Sequence, residues 1–199
     1  QQLAKLLDEV TAEGFCHRVD LRLRPFGGAG RIALSFPAME QYFQREGRDW
    51  ERYAWQKARP VAGDLAAGER FLAALRPFVY RRYLDYGVFS SLREMKALIE
   101  AEVAKKEFRG NLKLGPGGLR DVEFTIQLLQ LVHGQSDPNV RQIATLPALI
   151  ALAEHGYIGR VEAAEFSGDY RFLRLLEHRL QLSRLRRTHL MPTDPDALR

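Results

Sequence analysis

The segment Arg18-Val19-Asp20-Leu21-Arg22-Leu23-Arg24 sets one carboxylate among three arginines at every second position. Such alternation predicts a β-strand with Arg18, Asp20, Arg22 and Arg24 on one face and Phe15, His17, Val19, Leu21 and Leu23 on the other. An acid between arginines stays ionised and can hold a divalent cation, while guanidinium forks match phosphate oxygens. Phosphoryl and nucleotidyl transfer need both capacities together. A salt-bridged outer strand face that only aids solubility shows the same alternation, so the pattern alone leaves both readings open. Pro25 ends the pairing. Gly27-Gly28-Ala29-Gly30 then forms a turn through which backbone can approach a ligand, before Arg31-Ile32-Ala33-Leu34 resumes an extended pattern.

A second constellation runs from Leu112 to Phe124, where an extended stretch and the turn Gly115-Pro116-Gly117-Gly118 lead into a helix. At about 100° per residue, Arg120, Glu123, Gln127 and Gln130 fall on one narrow stripe with apolar residues on both flanks. That helix is expected to be largely buried, with its polar line toward a cleft. A pairing of Glu123 with Arg120, with the glutamines in solvent, is the structural alternative. Arg48, Arg52, Gln56 and Arg59 form a further row along a helix expected over Trp50–Ala58, facing either solvent or an anionic ligand.

The elements that must position these groups follow from periodicity. Leu3, Leu6, Leu7 and Val10 have helical spacing, so the sequence opens inside an element, as expected for a piece of something longer. Pro37 suits an early helical position ahead of Met39, Tyr42 and Phe43. Asp49 is the expected N-cap of the Trp50–Ala58 helix, which Pro60 ends. Helical periodicity begins at Glu69 with Phe71, Leu72, Leu75 and Phe78, continues through Leu92, Met95, Leu98, Ile99 and Val103, and breaks at Gly110-Asn111. Later helices are expected at Leu146–Glu154, Val161–Phe166 and Tyr170–Arg187.

The 199 residues, 46% of them hydrophobic, suffice for a core in one domain or two small ones. A net charge of +5 favours an anionic partner, but both signs are interspersed and no Lys/Arg block marks a nucleic-acid binder. The single cysteine, Cys16, excludes an internal disulfide and a cysteine-built metal site, and fits a reducing cytosol. No apolar run reaches membrane-spanning length and no signal peptide is evident, so a soluble, cytoplasmic protein is expected. His17, His133, His155, His178 and His189 show no metal-site spacing, and Asp194-Pro195-Asp196 reads as a turn.

Taken together, Arg18-Val19-Asp20-Leu21-Arg22-Leu23-Arg24-Pro25-Phe26-Gly27, Gly47-Arg48-Asp49-Trp50-Glu51-Arg52-Tyr53-Ala54 with Lys57-Ala58-Arg59, and Lys113-Leu114-Gly115 through Glu123-Phe124 resemble the glutamine synthetase adenylyltransferase family. Its members attach and remove AMP on glutamine synthetase, and the motifs look like those of the N-terminal, deadenylylating half. The resemblance implies an α+β, mostly helical chain: residues 1–65 the C-terminal part of a polymerase-β-like nucleotidyltransferase core, and 66–199 a helical bundle domain. It implies Mg²⁺ held by Asp20 as the third of three acids, the other two expected upstream of Gln1. It further implies catalytic roles for Asp20 and Glu123, and phosphate or nucleotide binding by Arg18, Arg22, Arg24, Gly27, Gly28, Arg59 and Arg120. The implied reaction is phosphorolysis of AMP-tyrosine to ADP. Glutamine synthetase, phosphate, ADP, ATP-type nucleotides and a PII-type regulator are the implied partners, with no nucleic acid and no membrane. With two acids absent, the isolated chain is expected to be inactive; a non-catalytic helical interaction fragment and, further off, a basic nucleic-acid-binding module are the alternatives.

Overall fold

A computed structural model describes residues 2–12, 14, 16–80, 97, 110–184 and 188–192. They fall into two compact units, Gln1–Gly47 and Arg48–Arg199. Among the described residues the secondary structure is helical, with two isolated β-bridges and no strand.

The first unit contains α1 (Gln2–Asp8), a 3₁₀ turn at Gly27–Ala29 and α2 (Phe36–Arg45). Ser35 caps α2, its Oγ accepting the Ala38 N–H at 3.4 Å, and Pro37 sits in the first turn as expected. Tyr42 and Phe43 are buried on α2, and the Phe26 ring meets Tyr42 edge-on at 4.7 Å. The strand expected through Arg24 is not formed. Its backbone groups are satisfied locally instead: His17 N–H donates to Leu7 O (2.8 Å), Val19 N–H to Asp8 Oδ1 (3.0 Å), Arg22 N–H to Asp20 Oδ1 (2.9 Å) and Arg24 N–H to Arg22 O (2.9 Å). Alternation states which side chains share a side; a strand also needs a neighbour to close its ladder. Leu21 and Leu23, expected on a core face, are exposed. Arg31–Leu34 is likewise irregular, and Phe15 lies outside the described residues.

The second unit contains α3 (Asp49–Trp55), α4 (Leu65–Val79), α5 (Leu119–His133), a 3₁₀ turn at Pro138–Val140, α6 (Thr145–Glu154) and α7 (Arg160–Arg184). Its main core joins α5, α6 and α7 around Leu119, Ile126, Val140, Leu149 and Leu152. Burying each such side chain stabilises the fold by roughly 1.5–3 kcal/mol. A smaller cluster of Tyr53, Val79, Tyr80 and Leu131 joins α3 and α4 to α5.

Helix ends follow their caps. α3 starts at Asp49 because Glu51 Oε2 accepts the Arg48 N–H at 2.8 Å, which makes Arg48, not Asp49, the capping position. α4 starts four residues before Glu69, where Asp64 Oδ1 accepts the Ala67 N–H at 2.9 Å. The two helices expected at Val161–Phe166 and Tyr170–Arg187 are one, α7, running through Gly168. A mid-helix glycine costs about 1 kcal/mol, which the buried residues on either side of it, Ala163 and Tyr170, outweigh. The expected helical stretch from Leu92 to Val103 and the Asp194-Pro195-Asp196 turn lie outside the described residues, Ala97 excepted. The mostly helical expectation holds among the described residues, and they do not by themselves show the end of a polymerase-β-like core.

Candidate functional site

Asp20 and Arg22 form a tight pair within the first unit. Arg22 Nε donates to Asp20 Oδ1 at 3.0 Å and Oδ2 at 3.2 Å, and Nη2 to Oδ2 at 2.7 Å. These bonds, the Arg22 backbone N–H and the charges of Arg22 and Arg18 hold the Asp20 carboxyl far below the usual carboxylate range. The carboxylate in turn raises Arg22. The pair lies in an open groove of about 640 Å³ lined also by Arg18 and by Lys5, Asp8 and Glu9 from the α1 end of the chain. Arg24 does not line this groove. Its guanidinium turns back over the following loop, with Nε donating to Gly30 O and Nη2 to Gly28 O, both at 3.2 Å, and Nη1 to Leu21 O. Gly27 takes φ +56° and a Cβ at Gly30 would stand 1.9 Å from Pro25 O, so these two glycines answer to the turn's own geometry, whereas a Cβ at Gly28 would meet nothing within 4 Å.

Both Asp20 oxygens already accept from Arg22. Among the described residues no group of three or more His, Cys, Asp or Glu is arranged to hold a metal ion. The described side chains therefore do not by themselves fit a Mg²⁺ centre, which takes carboxylate oxygens free of competing donors.

Glu123, Arg120 and Arg59 belong to the second unit. Glu123 Oε1 accepts from Arg174 Nη2 at 2.6 Å and from Tyr170 Oη–H at 3.0 Å, joining α5 to α7. Arg174 also donates through Nε to Tyr170 Oη (3.0 Å) and through Nη1 to Glu177 Oε2 (2.7 Å). Glu177 is buried, and its Oε1 lies 2.8 Å from His189 Nδ1. Burial would push the Glu177 carboxyl up, but the Arg174 hydrogen bond and the charges of Arg174, His189 and Lys113 outweigh it and bring it below its ordinary value. Glu123 pairs with Arg174 rather than with Arg120, whose guanidinium lies 5.3 Å from the Phe124 ring centroid. Arg59 is exposed beyond the end of α3.

The polar line of α5 does not open onto a cleft along its length. Gln127 and Gln130 are buried, and their amides bind backbone. Gln127 Nε2 donates to Tyr53 O and Gln56 Nε2 to Gln127 O, each at 3.0 Å, cross-linking α3 and α5. Gln130 Nε2 donates to Val140 O (2.7 Å) and Gln142 O (2.8 Å), pinning the 3₁₀ turn. The row of Arg48, Arg52, Gln56 and Arg59 is split in the same way. Arg52 and Gln56 are buried, Arg52 against Asp49 at 3.0 Å and 4.4 Å from the Phe78 ring centroid, so the row is neither a solvent face nor a ligand wall.

The glycine turn before α5 is also built for itself. Gly115 N–H donates to Asn111 O (2.8 Å), Gly117 N–H to Asp121 Oδ2 (2.9 Å) and Gly118 N–H to Gly115 O (2.9 Å). A Cβ at Gly118 would stand 2.7 Å from Leu112 O and 2.8 Å from Gly115 O. Donors spent inside the loop are not available to an anion.

Two groupings escaped the reading of the sequence. One is the Tyr170, Arg174 and Glu177 set around Glu123, whose spacing of four and three residues places them on one helix face. The other gathers His133, stacked on Tyr157 at 3.9 Å, and His155, whose Nδ1 is 2.5 Å from Asp137 Oδ2. Burial lowers the His133 pKa, partly offset by Asp137.

A family model described as GlnD PII-uridylyltransferase matches residues 93–199, more than half of the chain, and one described as glutamate-ammonia ligase adenylyltransferase matches residues 1–74. Both descriptions are of nucleotidyltransferases. The chain is 60% identical over 195 residues to the bifunctional glutamine synthetase adenylyltransferase/adenylyl-removing enzyme of Xanthomonas axonopodis pv. citri, covering 98% of this chain and 21% of the relative. The Stenotrophomonas maltophilia K279a protein of the same name is 60% identical over 98% of the chain and 21% of the relative, and that of Pseudomonas aeruginosa PAO1 50% identical over 98% and 20%. The chain belongs to the glutamine synthetase adenylyltransferase/adenylyl-removing enzyme family, and spans about a fifth of the length of these relatives. Among the described residues no helix is long and apolar enough to cross a membrane.

Proposed function

We propose that this chain is part of the AMP-removing half of a bifunctional glutamine synthetase adenylyltransferase/adenylyl-removing enzyme acting in the cytoplasm. Residues 1–65 are the end of its nucleotidyltransferase core and 66–199 its helical domain. The observation that carries the reading is the groove in which Arg22, clamped by Asp20, lies with Arg18 and Lys5. Asp8, Glu9 and Asp20 line the same groove, so it is the Arg22 guanidinium, held by Asp20 and flanked by Arg18, that suits a reaction between two anions.

In the proposed phosphorolysis, an oxygen of inorganic phosphate bonds to the phosphorus of AMP-tyrosine as the bond from phosphorus to the tyrosine oxygen breaks. ADP leaves, and the tyrosine oxygen takes up a proton. Arg18 and Arg22 offset the charge of the entering phosphate, and Asp20 holds the Arg22 fork in one orientation. Arg24, Gly27 and Gly28 shape the adjoining turn. Asp20 would reach Mg²⁺ only by releasing Arg22, so no step proposed here runs through the metal. Glutamine synthetase is the proposed protein substrate and ATP-type nucleotides the ligands of the whole enzyme. A PII-type regulator is proposed from the name of the model matching residues 93–199.

A second reading, that residues 48–199 serve as a non-catalytic scaffold, is favoured by the structural use of Gln127, Gln130 and Glu123. Phosphate-dependent ADP release from adenylylated glutamine synthetase tests both. The isolated chain should release none, and Arg22→Gln in the full-length enzyme should raise the KM for phosphate roughly tenfold or more, as expected for loss of a charge-assisted contact. An unchanged KM would remove Arg22 from the phosphate site.

A further inference from the structure

The outer face of α7 carries an apolar seam that the described residues leave in solvent. Val161, Gly168, Leu175 and Leu182 recur every seven residues, with Phe172 four beyond Gly168. Val161 is 73%, Phe172 61%, Leu175 49% and Leu182 71% exposed. On the opposite face Ala163, Tyr170 and Glu177 repeat at the same interval and are buried. A seven-residue repeat keeps one line of a helix turned toward a neighbouring helix along its length. α7 thus has two such lines, and its own domain uses one.

Charge along the exposed line is graded. Glu162, Glu165 and Asp169 flank its first half, and Arg171 and Arg179 its second, all of them exposed. Beside Phe172 a groove of about 320 Å³ opens toward α5, and its charged lining residues, Asp121 and Asp169, are both acidic.

We infer that this face is the docking site of an amphipathic helix supplied by the same polypeptide from outside this chain. The helix carries basic residues beside Glu165 and Asp169 and an acidic residue beside Arg179. The chain spans about a fifth of its relatives' length, so most of a full-length polypeptide is tethered to this face at a high effective concentration. The assignment rests on family membership and exposure, and is independent of the catalytic reading.

The test compares Leu175→Cys in the 199-residue chain and in the full-length protein, and repeats the comparison with Val161→Cys. Each cysteine is alkylated with N-ethylmaleimide and read by the mass of its own peptide, which separates it from the exposed Cys16. Both sites should label at least roughly tenfold more slowly in the full-length protein, as burial against a packed helix requires. Glu165→Lys in the full-length protein should restore much of the labelling without lowering the Tm. Equal rates in the two proteins would overturn the inference. Protection that fades on dilution would overturn it too, by assigning the face to a second copy.

Discussion

Glu123 on α5 and Arg174 on α7, 51 residues apart in sequence, meet at 2.6 Å, and the Tyr170 hydroxyl shares the same carboxylate oxygen. A residue expected to face a cleft is thus also a fastening between two helices.

Removing the centre of that fastening should be costly. Arg174→Gln leaves Glu177 buried beside fewer donors and should lower unfolding stability by about 1–3 kcal/mol, measured by urea denaturation. Glu123→Gln keeps an acceptor for Tyr170 and Arg174 and should cost less. A double-mutant cycle should show the two changes to be non-additive, as expected of residues in one network. Additive effects would mean that the pair is geometric only.

Gln130 is the most enclosed polar side chain of α5, and its amide serves two carbonyls of the 138–142 segment. Gln130→Leu keeps much of the volume but leaves Val140 O and Gln142 O without that donor. A loss of roughly 1–2 kcal/mol is expected, since Val140 O keeps the Gln142 N–H at 2.9 Å and Gln142 is exposed. A variant as stable as the wild type would show that water or a shifted backbone replaces the amide.

How far these groups were legible in the sequence depends on what a side chain can do in more than one setting. The apolar spacing of Leu119, Val122 and Ile126 has only burial as its outcome, and α5 is where periodicity puts it. Gln127 and Gln130 suit solvent or an interior carbonyl equally, and nothing in spacing distinguishes the two. Arg24 was grouped with Arg18 and Arg22 because all three alternate, yet its long side chain bends over a turn that follows it. The strand failed for a related reason, since alternation names two sides but not the neighbour that would bond to them. The meeting of Glu123 with Arg174 is a tertiary fact that neither helix announces alone.

The acid sensitivity of the second unit has a definite sign. His133 has its pKa lowered by burial, so the unfolded chain binds its proton more readily, and stability present above about 6.5 falls as pH drops through the folded value. Glu177, also lowered, adds a second loss below its ordinary value of 4.5. Urea midpoints should therefore decline from pH 7 to pH 5, and His133→Phe should flatten that decline. A variant with the wild-type slope would assign the dependence elsewhere.

The central claim is that Asp20 serves AMP removal by holding Arg22, and the bifunctional relatives suggest an internal control. In the full-length enzyme carrying Asp20→Asn, initial rates of phosphate-dependent AMP removal and of AMP addition are measured on one preparation. Asn keeps the size and one oxygen acceptor but loses the charge that anchors the Arg22 fork. Removal should fall roughly tenfold or more, the scale expected for loss of the Arg22 contact that Asp20 orients, while addition persists. Near-normal removal, or an equal fall in both activities together with a lowered Tm, would contradict the claim and leave Asp20 as a salt-bridge partner alone.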